Sequence, residues 1–192
     1  MAVVIRQEIP ADAAQVDRLV ADSFGPGRFA KSAYRLREGV HAIAALGFVA
    51  ELDGRIVGTV RYWPVSISGV PAIMLGPIAV RAELQGQGHA LQLMQVSLAR
   101  ARELGHRIVV LVGDEAYYAR AGFSRIQPYG RIVMPGPVDL SRVLGLELVA
   151  GALEGVTGEL CKPGVDTPCH AIGARLAPFA SPAGQQAANH HQ

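Results

Sequence analysis

Cysteine is scarce in this sequence, and the few cysteines show no metal-ligand pattern. Cys161 and Cys169 are the only two among 192 residues, which is too few for a disulfide-stabilised scaffold. The spacing from Cys161 through Cys169 to His170 matches no metal-ligand pattern, and His190 and His191 also lack ligand spacing. We therefore expect two reduced thiols and no metal site.

Long apolar runs and clusters of positive charge are also missing. The N-terminal stretch MAVVIRQEIP is interrupted by Arg6 and lacks the apolar core of about 7–15 residues that a signal peptide needs. The uncharged stretch 69–80 is much shorter than the roughly 20 residues of a membrane span. Lysine and arginine are scattered and the net charge is +2, which gives no footprint for a nucleic acid. These absences predict a cytoplasmic protein that binds neither a membrane nor a nucleic acid.

The composition fits one folded domain followed by a polar tail. The chain has 192 residues, of which 50% are hydrophobic and 18% charged, and this matches a single domain of about 100–200 residues with a sizeable core. From residue 165 onward, Ala, Pro, Gly, Gln and polar residues dominate. We therefore predict a domain over residues 1–164 and a mobile tail over residues 165–192.

One continuous stretch, residues 74–104, predicts a strand, a glycine-rich turn and an amphipathic helix. The strand portion is apolar except for Gly76 and Pro77, which is typical of a strand buried on both faces with a local break in its pairing. The helix ends before Gly105. Its apolar face is formed by Leu91, Met94, Leu98 and Ala101.

The turn itself, residues 85–90, has the composition of an anion-binding loop. Gly86 and Gly88 allow a tight turn, and the helix that follows directs free N–H groups and its positive dipole end at whatever the turn holds. A plain strand-to-helix turn is the alternative, and the glycines alone do not decide between the two. A Walker loop is excluded because His89 stands where lysine is needed, and a dinucleotide fold would need glycine or alanine at Leu91.

The other elements predict a mixed sheet rather than a doubly wound one. Residues 48–51 and 55–62 are β-rich runs joined by Asp53-Gly54, which is a hairpin signature. Residues 107–112 form an apolar run, as expected for a parallel strand reached by a crossover. Helices are expected from Pro10 to Phe24, over 29–38 and over 115–121 behind an Asp114 cap, and further strands at 3–6, 131–134, 144–149 and 158–161.

Two segments resemble the motifs of the GCN5-related N-acetyltransferases, the GNAT family. Residues 78–90 contain its acetyl-coenzyme A (acetyl-CoA) motif, Gln/Arg-x-x-Gly-x-Gly/Ala, whose fixed positions are matched by Gln85, Gly88 and Ala90. Residues 117–123 are similar to its aromatic-Tyr-x-x-x-Gly-Phe segment. Two matched motifs in the family's order extend the resemblance over residues 1–160.

The resemblance implies a fold and a cofactor site. Segments 111–114 and 144–148 further resemble a poorly characterised bacterial branch of predicted acetyltransferases. The implied architecture is α/β (mixed α+β), the acyl-CoA N-acyltransferase (GNAT) fold, with flanking helices and a mixed sheet split between its fourth and fifth strands. The acyl-pantetheine arm would enter the split, and the pyrophosphate would bind the glycine turn. The implied acetyl-CoA contacts are Ile78, Ala79, Val80, Gln85, Gly86, Gln87, Gly88, His89 and Ala90.

The resemblance also implies catalytic residues. Tyr118 matches the family tyrosine beside the coenzyme sulfur, where a general acid assists the departing thiolate. The alternative for Tyr118 is core packing with its hydroxyl paired, and Tyr117 is expected to pack. Glu51 and Glu83 are candidate bases by position; a chain of water molecules could serve instead, and surface salt bridges would equally explain both carboxylates.

The two N-terminal helices would border the acceptor cleft in this fold. Around the second helix lies a basic stripe, which is either a solvated face or a contact for an acceptor with an anionic group. The stripe consists of Arg28, Lys31, Arg35 and Arg37.

Together these features predict an N-acetyltransferase that moves the acetyl group of acetyl-CoA to an amine by direct attack in a ternary complex. The acceptor is an amine on a small molecule or a peptide, and a homodimer through the late strands is a common family arrangement. A non-catalytic acyl-CoA-binding or regulatory module is the alternative. A third hypothesis, a dinucleotide-dependent oxidoreductase, would bind nicotinamide instead.

Overall fold

A computed structural model of the chain describes residues 2–26 and 32–164. The tail predicted over 165–192 lies outside the described residues, and so do Arg28 and Lys31 of the basic stripe. Within the described ranges, no helix combines the length and the apolarity needed to cross a membrane.

The described chain forms four α-helices and nine strands. The helices are α1 (Ala13–Phe24), α2 (Ser32–Arg37), α3 (His89–Glu103) and α4 (Glu115–Tyr118). The strands are β1 (Val4–Gln7), β2 (Phe48–Leu52), β3 (Arg55–Ile67), β4 (Val70–Val80), β5 (Ile108–Val112), β6 (Ser124–Arg125), β7 (Ile132–Val133), β8 (Val143–Glu147) and β9 (Gly158–Cys161).

The main sheet has the strand order β1-β2-β3-β4-β5-β8-β6. Neighbouring strands along this path are antiparallel except for β4 and β5, which are parallel. Helix α3 supplies the crossover between these two strands, because a parallel pair cannot be joined by a hairpin. Strand β9 pairs with β3 and, in parallel, with β7. The predicted mixed α+β architecture is confirmed.

Strands β4 and β5 separate partway along β4. Over the full described length of both strands, pairing is confined to Ile73 with Val109 and Met74 with Val110. Beyond these positions β4 remains paired with β3 as far as Val80. The second half of β4 therefore has one edge that no strand of the described chain covers, as the predicted split requires.

A bulge in β4 lies at the point of separation. Val60 of β3 pairs with Ile78, whereas Tyr62 pairs with Leu75. Gly76 and Pro77 therefore stand between these two pairs without partners of their own in β3, and the backbone of β4 bends there. The break in pairing predicted at this dipeptide is confirmed.

Both faces of the central strands are buried. The face toward α3 packs against Leu93, Met94, Leu98 and Ala101. The opposite face packs against α1 through Val16 and Leu19, and against α2 through Leu36. Strands covered on both sides read as nearly continuous apolar runs, which is why the sequence pattern at β4 and β5 was informative.

Several element boundaries differ from the prediction. Strand β4 begins at Val70, because it continues the hairpin from β3 through the turn that precedes it. The helix predicted over 115–121 ends at Tyr118 and continues as a 3-10 turn, Ala119–Ala121, although the predicted Asp114 cap is present. The strand predicted at 131–134 is the two-residue β7, and β6 was not predicted.

Candidate active site

The glycine turn lies between the end of β4 and the start of α3, and the space around it is open. Gly86 and Gly88 have φ angles of 78° and 89°, a left-handed region that favours glycine. A Cβ atom at either position would meet nothing within 4 Å. The side-chain nitrogen Nε2 of Gln85 donates to the carbonyl oxygen of Val80 at 3.0 Å. This bond ties the turn to the split strand.

The amide groups of the turn are available to a ligand. Within the described chain, the N–H groups of residues 86–91 have no backbone acceptor, and Gln92 N–H is the next to bond, donating to Gly88 O at 3.0 Å. Helix α3 has 15 residues, so the positive end of a full helix dipole lies here. His89 adds a buried Nδ1 atom without a hydrogen-bond partner in the described chain. This arrangement suits the binding of phosphate groups.

A groove of about 380 Å³, here called the turn groove, runs along these residues. One wall is formed by α4, through Tyr117 and Tyr118, and by Arg120 after it. The lining also includes eight of the nine predicted cofactor contacts, Ile78, Ala79, Val80, Gln85, Gly86, Gly88, His89 and Ala90. Gln87 does not line the groove; its side chain is exposed and donates to the carbonyl oxygen of Glu83 at 3.3 Å.

A second cavity, here called the large cavity, adjoins the turn groove. Its volume is about 780 Å³. Phe24, Ile78 and Tyr118 line both spaces, so the groove and the cavity adjoin at these residues. The remaining walls come from α1, α2, the middle of β3, the bulge of β4, the end of β5 and the loop that precedes β8.

Tyr118 is held in place by contacts with two aromatic rings, and the lack of a side chain at Gly113 leaves room for its own ring. Its ring lies edge-on to those of Phe123 and Tyr117, with centroid separations of 6.0 and 5.0 Å. A side chain at Gly113 would collide with the Tyr118 ring. Helix α4, which carries Tyr118, is capped by Asp114, whose Oδ1 accepts from Ala116 N–H at 2.9 Å.

The hydroxyl of Tyr118 is protonated and available. Burial raises the pKa of Tyr118 to about 12, although nearby Arg142 and Arg37 oppose the shift. No side chain or backbone group of the described chain forms a hydrogen bond with this hydroxyl. At neutral pH the phenol therefore carries a proton and can donate it toward the junction of the two spaces.

The two carboxylates proposed as bases lie elsewhere. Glu51 lines neither space; its Oε2 accepts from Nε of Arg6 at 2.8 Å, and Arg6 also binds Asp12. Glu83 is exposed in the turn after β4 and also lines neither space. The structure brings Tyr118 to the predicted cofactor contacts but does not bring either glutamate there.

The large cavity contains charged and aromatic residues that the sequence did not single out together. Arg37 was predicted only as part of the basic stripe, and the structure separates it from Arg35. Arg35 is exposed, whereas the guanidinium of Arg37 lies 5.9 Å from the ring centroid of Trp63. Arg61 and Arg142 also line the cavity. No spacing rule connects an arginine in a short helix to a tryptophan in a distant strand, so the sequence held no signal for this pair.

The described side chains form no cluster of metal ligands. Among residues 2–26 and 32–164, no three His, Cys, Asp or Glu side chains are grouped so that they could hold a metal ion.

Comparison with known proteins connects this site to a family. The family model for the acetyltransferase (GNAT) family matches residues 13–123. The N-acetyltransferase YhbS of Escherichia coli strain K12, itself uncharacterised, is 38% identical over 159 residues, which are 81% of this chain and 93% of YhbS.

Two solved structures extend the comparison to the fold. The crystal structure of the GNAT family N-acetyltransferase YhbS from Escherichia coli in complex with CoA matches with a TM-score of 0.70 and 36% identity, over 83% of this chain and 89% of that one. A GNAT family acetyltransferase from Brucella melitensis, in complex with acetyl-CoA, matches with a TM-score of 0.54 and 30% identity, over 74% of this chain and 94% of that one. The chain belongs to the GNAT family of acetyltransferases.

Proposed function

We propose that this chain is an acetyl-CoA-dependent N-acetyltransferase that transfers the acetyl group directly to an amine within a ternary complex. One observation carries the proposal: the turn groove and the large cavity adjoin, and Tyr118 lines both. A ligand in the groove and a second ligand in the cavity can therefore meet at one point. Family membership and the CoA and acetyl-CoA complexes of the relatives support the identity of the first ligand.

Acetyl-CoA fits the turn groove by charge and by backbone pattern. Its pyrophosphate binds the free amides of residues 86–90 at the positive end of α3. Its pantetheine arm runs along Ile78, Ala79 and Val80, where β4 has an edge that β5 does not cover. The arm supplies amide groups that complete this edge, as an added strand would. Gln85 contributes by holding the turn against β4.

The reaction needs a proton donor at the sulfur and a route for the proton of the amine. The neutral amine attacks the thioester carbon, and the tetrahedral intermediate collapses with cleavage of the C–S bond. Tyr118 donates a hydrogen bond and then its proton to the departing sulfur, and solvent returns a proton to the phenolate. The proton released by the amine passes to water in the open cavity. Glu51 takes no part in this scheme, because it is paired with Arg6.

The first test is binding of acetyl-CoA to the purified protein, with free CoA and NAD as controls. A ligand that binds only the folded state stabilises it, by about 2.7 kcal/mol at a concentration of 100 times Kd. Calorimetry or a thermal shift measures this effect, and a panel of amines is then screened for release of free thiol.

The outcomes separate the hypotheses. Binding of acetyl-CoA together with thiol release supports the proposed enzyme. Binding without release by any amine would indicate a non-catalytic acyl-CoA-binding module, and binding of NAD in place of CoA would indicate the dinucleotide alternative.

A homodimer formed through the late strands stays a prediction. The segment that contains these strands has four exposed apolar side chains, Tyr129, Val133, Leu140 and Val149.

A further inference from the structure

Arg37 occupies an unusual position in the large cavity. It is the last residue of α2, and its guanidinium reaches the bulge of β4. Nη2 of Arg37 lies 2.7 Å from the point where a Cβ atom of Gly76 would stand. The absence of a side chain at Gly76 therefore provides the room for the guanidinium.

Trp63 forms the other side of this position. The indole Nε1 donates to the carbonyl oxygen of Gly76 at 2.6 Å, which fixes the orientation of the ring. The guanidinium carbon of Arg37 lies 5.9 Å from the ring centroid, within the range of a cation–π contact. The guanidinium is therefore held beside β4, at the point where β4 and β5 separate.

The charge of Arg37 is not balanced by any carboxylate among residues 2–26 and 32–164. In the described part of the chain, no carboxylate forms an ion pair with Arg37, and its Nε atom is buried without a hydrogen-bond partner. Burial lowers the pKa of Arg37 to about 10, so the side chain still carries its charge at neutral pH. A buried cation is costly unless an anion accompanies it.

The other charged residues of the large cavity do not supply that anion. Asp17 is paired with Arg61 at 3.1 Å. Asp139 accepts from the backbone N–H and the hydroxyl of Ser141 at 2.9 and 2.7 Å. Glu38 has an exposed side chain. Arg61 differs from Arg37 in being neutralised, because Glu8 and Asp17 both bind it.

We propose that the large cavity selects an amine acceptor that carries a carboxylate, and that this carboxylate pairs with the guanidinium of Arg37. The planar fork of a guanidinium matches the two oxygens of a carboxylate. Of the two cavity arginines without an ion pair in the described chain, Arg142 is exposed and only Arg37 is held in the interior. A singly charged carboxylate suits this one buried arginine better than a phosphate dianion does, because Asp17, Glu38 and Asp139 also line the cavity. Small molecules that combine an amine with a carboxylate, such as amino acids, are the expected acceptor class. This inference rests on the proposed N-acetyltransferase function.

The test compares acceptors that differ in the anionic group, with each rate referred to the concentration of unprotonated amine, because loss of a nearby carboxylate lowers the pKa of an amine. Thiol release from acetyl-CoA is measured with amino acids and with their carboxamides, and amino-phosphonates form a further arm. In the wild-type protein we expect kcat/KM for the carboxylates to exceed that for the carboxamides by about 10- to 100-fold. In Arg37→Met the preference should disappear, whereas Arg37→Lys should keep part of it. The acetyl-CoA-induced thermal shift should be the same in all three proteins.

A neighbouring arginine provides the control. Arg35 lies on the same helix, is exposed, and donates to the carbonyl oxygen of Pro135 at 3.4 Å without lining the large cavity. Arg35→Met should keep the full preference for carboxylates. An unchanged preference in Arg37→Met, a wild-type preference for carboxamides, or a larger preference for phosphonates would each overturn the proposal.

A binding measurement separates this inference from the proposed function. Trp63 is the only tryptophan of the chain, so its fluorescence reports on the large cavity. N-acetylglycine should change the fluorescence and N-acetylglycinamide should not, and Arg37→Met should remove the difference. If no amine releases thiol but this difference is observed, the enzymatic proposal fails and the carboxylate site stands. Equal responses to the two probes in the wild-type protein reject the site.

Discussion

At the scale of single residues, Tyr118 differs from its neighbour Tyr117 in what its hydroxyl can do. The Tyr118 ring is packed against Phe123, and Tyr118 lines both the turn groove and the large cavity. Tyr117 is 40% exposed and lines only the turn groove. Adjacent tyrosines on one short helix thus allow a direct comparison of chemistry with packing.

We predict that Tyr118→Phe lowers kcat by about 10²- to 10⁴-fold, the usual contribution of a general acid. The phenylalanine ring keeps the packing, so the affinity for acetyl-CoA should stay within about twofold of wild type. Steady-state thiol release and calorimetry measure the two quantities. Tyr117→Phe is the matched control and should retain nearly full kcat. Equal losses in the two variants would remove the role of Tyr118 as an acid.

The raised pKa of Tyr118 also predicts a pH dependence of stability. An unfolded tyrosine ionises near pH 10, whereas the folded Tyr118 ionises at about pH 12 because it is buried. The unfolded state therefore releases a proton first, and stability that is complete below pH 10 is lost as the pH rises toward 12. Tyr62 is also buried with a raised pKa and contributes in the same direction.

Denaturant unfolding between pH 9 and pH 12 measures this effect. Tyr118→Phe should lose less stability over that interval than wild type, by roughly 2 kcal/mol. Parallel loss of stability in both proteins would contradict the stated environment of Tyr118.

Sequence alone located some of these residues and not others. Tyr118 was singled out because it stands at the family's spacing before Gly122-Phe123, within one continuous segment. Arg37 was grouped with Arg35 because both are basic, and only the packing of α2 places one against Trp63 and the other in solvent. Glu51 was proposed from its strand position, yet Arg6 of the neighbouring strand binds its carboxylate. Such pairings depend on tertiary contacts that no local pattern encodes.

At the scale of elements, the turn before α3 needs both a left-handed backbone and open space beside it, and one pair of glycines provides both. Positive φ angles at Gly86 and Gly88 direct successive amides outward, and the lack of Cβ atoms keeps that side open. Gly69 and Gly105 have similar φ angles of 88° and 82° and equally open surroundings. These two glycines lie outside the groove and the cavity, so they can control for backbone strain.

We predict that the double replacement Gly86→Leu with Gly88→Leu abolishes acetyl-CoA binding. A side chain forced into the left-handed region costs about 1–2 kcal/mol per position, and here it also occupies the space beside the free amides. The control pair, Gly69→Leu with Gly105→Leu, should lose a comparable free energy of unfolding and keep acetyl-CoA binding. Calorimetry and thermal unfolding test both pairs, and loss of binding in the control pair would refute the local explanation.

Elements were predictable where a sequence segment determines its own structure. The apolar runs at β4 and β5, the Asp53-Gly54 hairpin and the glycine turn each carry a local signal, and the structure contains all of them. Strands β6 and β7 have two residues each and exist because β8 and β9 lie beside them. Short strands of this kind have no periodicity of their own, so β6 was not predicted and the strand expected over 131–134 was twice as long as β7.

At the scale of the whole molecule, the split sheet raises the question of whether the two sides unfold together. The α3 side and the α2 side form separate clusters of buried side chains. The same strands serve both, because Ile73 and Leu75 belong to the α3 side and Met74 to the α2 side. A strand whose alternate residues enter both clusters couples them, so we expect one cooperative transition.

Two matched cavity-creating variants test this coupling. Leu93 on the α3 side and Leu36 on the α2 side are 0% and 2% exposed, and replacement of either by alanine should cost about 2–5 kcal/mol. Trp63 packs against the α2 cluster, so its fluorescence reports that side, whereas far-UV circular dichroism reports the helices as a whole. In wild type and in both variants the two signals should follow one transition in denaturant. If Leu36→Ala shifted only the fluorescence transition, the split between β4 and β5 would divide the molecule into two units of separate stability. The α2 side, with the large cavity, could then unfold while the α3 side stayed folded.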